Sequence, residues 1–276
     1  MRTLNNWEEY KLLDTSCGAR LEQWGDITLI RPDPQGIWKS EKSPLWRKVN
    51  LTYTRTSKGG GYWNGEKKEG VISYKDFKFK IKPTDFKHLG LFPEQAVNWE
   101  YAYNLISNRK EVNVLNLFAY TGAMSVVCAK AGANVTHVDS SKGIVTWAKE
   151  NATLNGISNI RFIVDDCAKF VEREIRRGKK YDIIIMDPPS YGRGSNGEVW
   201  KFEDNIYGFL KLCKQIFSEK PLFLMLNSYT TGISSNTVAF CIDKVFRCGK
   251  ISTDEIGLKI KTGGVLPCGH TSILEF

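Results

Sequence analysis

Residues 112–139 read VNVLNLFAYTGAMSVVCAKAGANVTHVD. An apolar run, Val112–Phe118, ends in the small-residue turn Ala119-Tyr120-Thr121-Gly122. A helical segment opens with Ala123-Met124-Ser125-Val126, and a second apolar run, Asn134–Asp139, follows. Strand, turn, helix and strand in so short a span form a βαβ unit, whose two strands must lie parallel.

Working outward, short apolar runs at Ile160–Asp165, Tyr181–Asp187 and Leu222–Asn227 alternate with helical segments, and Ile251–Ile260 with Thr271–Phe276 can close the sheet as a pair. The pattern predicts an α/β fold: a Rossmann-like, mostly parallel sheet with helices on both faces, closed by an antiparallel strand pair. Residues 1–85 read differently, as a small β-rich N-terminal extension. Strands are expected at Ile27–Arg31 and Tyr53–Arg55, a loop at Lys58–Gly61, and an alternating strand at Tyr74–Lys82 with Phe77, Phe79 and Ile81 on one side and Lys78, Lys80 and Lys82 on the other. That basic side either keeps an edge strand soluble or faces nucleic acid.

The chain has 276 residues, 42% hydrophobic and 25% charged, enough for a sizeable core. Its N-terminus lacks the signature of a secretion signal, and no run of apolar residues is long enough to span a membrane, so a cytoplasmic protein is expected. Seven scattered cysteines without CxxC spacing point to thiols rather than a disulfide framework or zinc site, and His88, His137 and His270 are too dispersed to suggest a metal. The net charge of +9, with 17 Lys+Arg against 11 Asp+Glu in residues 1–90, suggests a polyanionic partner.

In an open α/β sheet the ligand lies beyond the carboxyl ends of the strands. The loop Phe118-Ala119-Tyr120-Thr121-Gly122 lets backbone pass beneath a ligand, and its lack of G-x-G-x-x-G disfavours NAD and FAD. Asp139 ends the second strand, where a carboxylate can accept from both ribose hydroxyls of an adenosine, or where it can cap the helix that begins near Ser140-Ser141-Lys142. The third strand ends Asp165-Asp166-Cys167; Asp166 can accept from an adenine amino group and a backbone N–H can reach a ring nitrogen, with helix capping as the other role. The fourth runs into Asp187-Pro188-Pro189-Ser190-Tyr191, whose prolines remove two backbone donors and leave carbonyls to meet a substrate N–H, while Tyr191 can stack on a flat base.

With Gly90–Gln95, Leu115–Gly122, Val138–Ser141, Asn151–Gly156 and Asp165-Asp166, these stretches make residues 86–276 resemble the class I S-adenosylmethionine-dependent methyltransferase domain of bacterial large-subunit ribosomal RNA methyltransferases, the cytosine-5 and guanine-N7 group. The resemblance implies S-adenosyl-L-methionine as cofactor. Phe118, Ala119, Tyr120 and Gly122 would lie under its methionine part, Asp139 and Ser140 at the ribose, Asp166 and Cys167 at the adenine, and Asp187 near the sulfonium. Phe92 and Gln95 would belong to a covering loop. Asn116 departs from the pattern, standing where many such enzymes have an acidic residue.

Cytosine-5 transfer needs a cysteine nucleophile near the Asp-Pro-Pro loop or at the end of the fifth strand. Those positions read Asp187–Tyr191 and Leu226-Asn227-Ser228-Tyr229. The expectation is therefore methylation of a base nitrogen in RNA, with Asp187, Pro188, Pro189 and Tyr191 around the acceptor. A protein or small-molecule acceptor, or a non-catalytic RNA-binding role, are the rival readings.

Overall fold

The computed structural model describes residues 1–4, 6–56, 60–193, 197 and 199–276. The chain packs as two units, one of residues 1–97 and 256–268, the other of residues 98–255 and 269–276.

In the first unit β1 (Arg2–Thr3) pairs in parallel with Ile256 and Gly257. Strands β2 (Tyr10–Ser16), β3 (Ala19–Trp24), β4 (Ile27–Pro32), β5 (Leu51–Arg55) and β6 (Gly61–Gly65) form one sheet in chain order, antiparallel except between β4 and β5. Leu21, Trp24, Leu29 and Leu51 fill its core. Charge is buried there too: Glu22 accepts from Arg31 Nη2 at 2.9 Å and Tyr10 Oη at 2.8 Å. Arg20 and Arg31 hold the Glu22 carboxyl down to about 2 against the opposing effect of burial.

Strands β7 (Gly70–Tyr74) and β8 (Phe77–Ile81) form a separate antiparallel hairpin. The expected strand over 74–82 is thus shorter, because Lys75, in the left-handed region at φ 50°, and Asp76 turn the chain. Within β8 the alternation holds: Phe77, Phe79 and Ile81 are buried and Lys78 is exposed. Of the expected loop at 58–61, Lys58 and Gly59 lie outside the described residues, and Gly61 opens β6.

The second unit opens in helix α1 (Ala96–Ile106) and continues through β9 (Asn113–Leu117), α2 (Ala123–Lys130), β10 (Asn134–Asp139), α3 (Lys142–Leu154), β11 (Ile160–Val164), α4 (Cys167–Arg176), β12 (Ile183–Met186), a short hairpin of β13 (Tyr191–Arg193) and β14 (Val199–Lys201), α5 (Phe202–Lys214), β15 (Phe223–Ser228) and α6 (Ser235–Phe246). Strands β16 (Lys250–Lys259) and β17 (Val265–Glu275) finish the chain. The sheet order is β16-β17-β15-β12-β9-β10-β11. Neighbours from β15 to β11 are parallel and β17 runs antiparallel to β15, so the Rossmann-like class predicted from the alternation is the class observed.

Apolar side chains of one sheet face, among them Leu115, Leu117, Ile184, Met186 and Leu226, pack on Phe170 of α4, Phe209 of α5 and Ile242 of α6, all nearly inaccessible to water. At about 25 cal/mol per Å² of apolar surface removed from water, such continuous burial is the main stabilising term. Strand order reverses between β9 and β12, and the ligand crevice of a sheet of this kind opens beyond the carboxyl ends of those strands.

Candidate active site

The chain leaves β9 through a loop that few side chains tolerate. Phe118, Tyr120 and Gly122 all have positive φ, at 53°, 50° and 81°. Non-glycine residues in this region cost of order 1–3 kcal/mol each and persist only where the surroundings hold them. The surroundings here do so by hydrogen bonding. Cys167 Sγ accepts from Phe118 N at 3.3 Å, Asp139 Oδ2 accepts from Tyr120 N at 2.9 Å, and Asn151 Nδ2 donates to the Thr121 carbonyl at 2.8 Å. Gly122 is required twice over, because a Cβ there would also sit 2.9 Å from the Ala148 Cβ.

Asp139, half-buried at the end of β10, also accepts from Ser141 N at 3.0 Å through Oδ1. It does not cap α3; Ser141 does, by accepting from Ile144 N. Burial raises the Asp139 carboxyl above its ordinary value, opposed by the backbone N–H groups of Ser141, Tyr120 and Ser140. A carboxylate offers about four lone-pair sites, so beside these backbone bonds acceptor capacity remains for a hydroxyl donor. Ser140, next in the chain, is exposed.

At the end of β11 the two carboxylates divide their work. Asp165 pairs with Arg173 and accepts from Asp166 N at 2.9 Å, whereas Asp166 caps α4, accepting from Lys169 N at 2.9 Å through Oδ1. Cys167 stands in the first turn of α4, where backbone N–H groups have no carbonyl one turn back to bond. Its thiol is fully buried, and burial pushes it well above the usual thiol range, so it is no nucleophile.

Beyond β12, Asp187 N donates to the Leu117 carbonyl at 3.3 Å, so Asp187 stands beside the β9 loop. Trp200, whose part the sequence did not disclose, donates from Nε1 to the Pro189 carbonyl at 2.8 Å and packs its ring 5.0 Å from Phe118 and 5.5 Å from Phe209. The Pro189 carbonyl is therefore fixed to the hairpin, and Pro188 beside it is buried. Tyr191 is 52% exposed, and its phenol accepts from Arg193 Nε at 3.0 Å; its ring is not packed on the β9 loop. Ser190 Oγ and Thr230 Oγ1, 2.9 Å apart, join this exit to the one after β15.

The structure thus brings Phe118, Ala119, Tyr120, Gly122, Asp139, Cys167 and Asp187 to one end of the sheet. Asn116 is buried away from it, donating to Ser125 Oγ at 2.9 Å, with His137 Nδ1 on the same hydroxyl at 3.0 Å. Burial lowers the His137 imidazole to about 3, so this chain is neutral. At the end of β15, Asn227 Oδ1 accepts from Asn98 Nδ2 at 3.0 Å and Thr271 Oγ1 at 2.7 Å, a buried set the sequence reading missed because its members lie far apart in the chain. Phe92 and Gln95 lie in the first unit, where Pro93–Gln95 form one 3-10 turn before α1 and Phe92 packs 5.1 Å from His88. Among the described residues no group of three or more His, Cys, Asp or Glu could hold a metal, and no helix is long and apolar enough to cross a membrane.

Known proteins share this arrangement. Residues 49–207 match the S-adenosylmethionine-dependent methyltransferase family. A crystal structure of an S-adenosylmethionine-dependent methyltransferase from Agrobacterium tumefaciens superposes with a TM-score of 0.94 at 36% identity, over 99% of this chain and 92% of that one. A methyltransferase structure from Streptococcus mutans, 20% identical, shares the fold with a TM-score of 0.75 over 97% of this chain and 74% of its own. Among curated proteins, ribosomal RNA large subunit methyltransferase K/L of Shewanella frigidimarina is 34% identical over 180 residues, 63% of this chain but 24% of the relative. That of Pseudoalteromonas atlantica is 42% identical over 116 residues, 41% of this chain and 16% of the relative. The chain spans about a quarter or less of the length of these curated relatives. The family match over more than half of the chain and the structural match over nearly all of it converge on one statement: the chain belongs to the S-adenosylmethionine-dependent methyltransferase family.

Proposed function

We propose that this methyltransferase acts on a base nitrogen of RNA, ribosomal RNA above all, without a cysteine nucleophile. The observation that carries the reading is the Asp187–Tyr191 exit: Asp187 against the β9 loop, a rigid Pro-Pro and an exposed aromatic ring, while Cys167 is buried with its thiol pushed well above the usual range. The curated relatives named as ribosomal RNA methyltransferases and the +9 net charge support an RNA acceptor. Within the cytosine-5 and guanine-N7 group suggested by the motifs, the lack of cysteine at Asp187–Tyr191 and Leu226–Tyr229 favours the nitrogen branch.

In this reading Phe118–Gly122 would lie beneath the cofactor's methionine part, Asp139 beside Ser140 would accept from its ribose hydroxyls, and Asp166 with the Cys167 N–H would hold its adenine. The donor set fits: backbone N–H groups and carboxylate oxygens with acceptor capacity to spare. When bound, the cofactor supplies an electrophilic methyl group. The protein's task is then to hold the accepting nitrogen in line in a site that excludes water, which needs no strong base. Asp187 and the Pro188 carbonyl would orient the base by accepting from its N–H groups, and Tyr191 would stack on it after extrusion from its neighbours. The β-rich extension, residues 1–85, would add RNA contacts through its basic strand, and a cytoplasmic site of action follows from that substrate.

Labelled methyl transfer from the cofactor to ribosomal RNA from cells lacking the protein, followed by nucleoside analysis, tests this. An N-methylated purine is expected. 5-Methylcytidine would overturn the nitrogen argument, and label found only in protein or a small molecule would overturn the RNA reading.

A further inference from the structure

The β13–β14 hairpin follows directly on Asp187-Pro188-Pro189-Ser190, and its register sorts its residues cleanly. Tyr191 lies opposite Lys201, Gly192 opposite Trp200, and Arg193 opposite Val199. Directly opposed residues of an antiparallel pair share a face, as do residues two apart along a strand. Tyr191, Arg193, Val199 and Lys201 therefore occupy one face, and Gly192 with Trp200 the other. Burial agrees: the first four are exposed and the last two only partly so. The inner face is anchored by Trp200 on Phe118 and on the Pro189 carbonyl, and by the approach of Gly192 to Pro189, where a Cβ would stand 3.3 Å from the ring.

A two-stranded ribbon with an aromatic ring, a guanidinium, an ammonium and a branched apolar side chain facing water is not explained by packing. Tyr191 and Val199 are among the most exposed large apolar side chains of the second unit, at 52% and 51%. Arg193 already meets the Tyr191 phenol, which presents cation and ring together. Asp204 lies 3.7 Å from Lys201 with both side chains more than half exposed, a pair worth little and readily exchanged for a phosphate.

We propose that this outward face is a single-strand nucleic-acid subsite: Tyr191 stacks on a base while Arg193 and Lys201 take phosphates of the strand beside it. The inference rests on the RNA reading above and adds to it the surface that holds the acceptor strand. A sequence-tolerant ring with flanking cations is how unpaired strands are held. Trp200 ties that surface to the β9 loop, so a strand gripped on the ribbon is positioned relative to the cofactor site.

The test is fluorescence anisotropy with a short labelled oligouridine over a range of salt concentrations, on the wild type, Arg193→Gln/Lys201→Gln, Tyr191→Leu, and a control, Arg176→Gln/Lys179→Gln. The control removes the same charge at the carboxyl end of α4, the far end of the sheet. The hairpin double variant should lose about tenfold in affinity and flatten the slope of log K against log salt by about 1.4, two phosphate contacts on a single strand. Tyr191→Leu should lose affinity at unchanged slope, and the control should match the wild type. All should melt as the wild type does, since every altered side chain is exposed. An unchanged slope in the hairpin variant, or an equal change in the control, would overturn the subsite and leave the RNA reading standing. No oligouridine binding by the wild type at low salt would overturn both.

Discussion

Gly122 combines φ 81° with a Cβ position only 2.9 Å from Ala148, so a side chain there meets backbone strain and steric conflict together. Gly122→Ala should cost about 1–3 kcal/mol, read from urea midpoints, and should weaken S-adenosylhomocysteine binding; a variant as stable as the wild type would contradict the need for glycine. Asn151 is buried on α3 and holds the Thr121 carbonyl. Asn151→Ala removes that bond, and a loss of about 0.5–1.5 kcal/mol is expected. Asp139 should also make cofactor binding pH-dependent. A ribose-accepting carboxylate must be ionised, and burial raises its pKa above the ordinary 3.8. Affinity for S-adenosylhomocysteine should hold at neutral pH and fall as pH drops through that raised value, earlier than an exposed aspartate would give. Affinity constant down to pH 3 would contradict Asp139 as the ribose ligand.

The elements rest on patterns of unequal visibility. Strands β9, β10, β12 and β15 are apolar runs bounded by turns, and burial on both faces makes such runs legible, while β11 at the sheet edge is only partly buried; β16 follows its expected range to within a residue, whereas β17 begins at Val265, well before the expected Thr271. The β13–β14 hairpin is not legible, because its three-residue strands, Tyr191–Arg193 and Val199–Lys201, are too short for an alternation of apolar and polar residues to show in the sequence. The roles of Trp200 and of Asn98 with Asn227 and Thr271 arise only from tertiary contact, and no spacing announces them. In the other direction, Ser141 rather than Asp139 caps α3, a choice the run Asp139-Ser140-Ser141 left open. The anchoring of the hairpin is testable at this scale: Trp200→Phe keeps a ring and loses the bond to Pro189, about 1 kcal/mol, while Trp200→Ala loses the packing as well and should cost more. Equal stability of all three proteins in urea would show that the ribbon is not held this way.

At the scale of the molecule, a sheet whose strand order reverses beside β9 supplies the crevice, and four strand exits supply its lining. The family is established by the match over residues 49–207 and by the Agrobacterium tumefaciens structure, whereas the acceptor rests on the chemistry of the fourth exit. The proposal central to both is a cofactor laid across the exits of β9, β10 and β11, with Asp139 as its principal polar anchor. Titration calorimetry with S-adenosylhomocysteine, on the wild type and on Asp139→Ala, addresses that placing directly. The account predicts micromolar-range binding by the wild type, of order −8 kcal/mol, weakened at least about tenfold, or 1.4 kcal/mol, in the variant. Equal affinity in the two proteins, or no binding by the wild type, would contradict it.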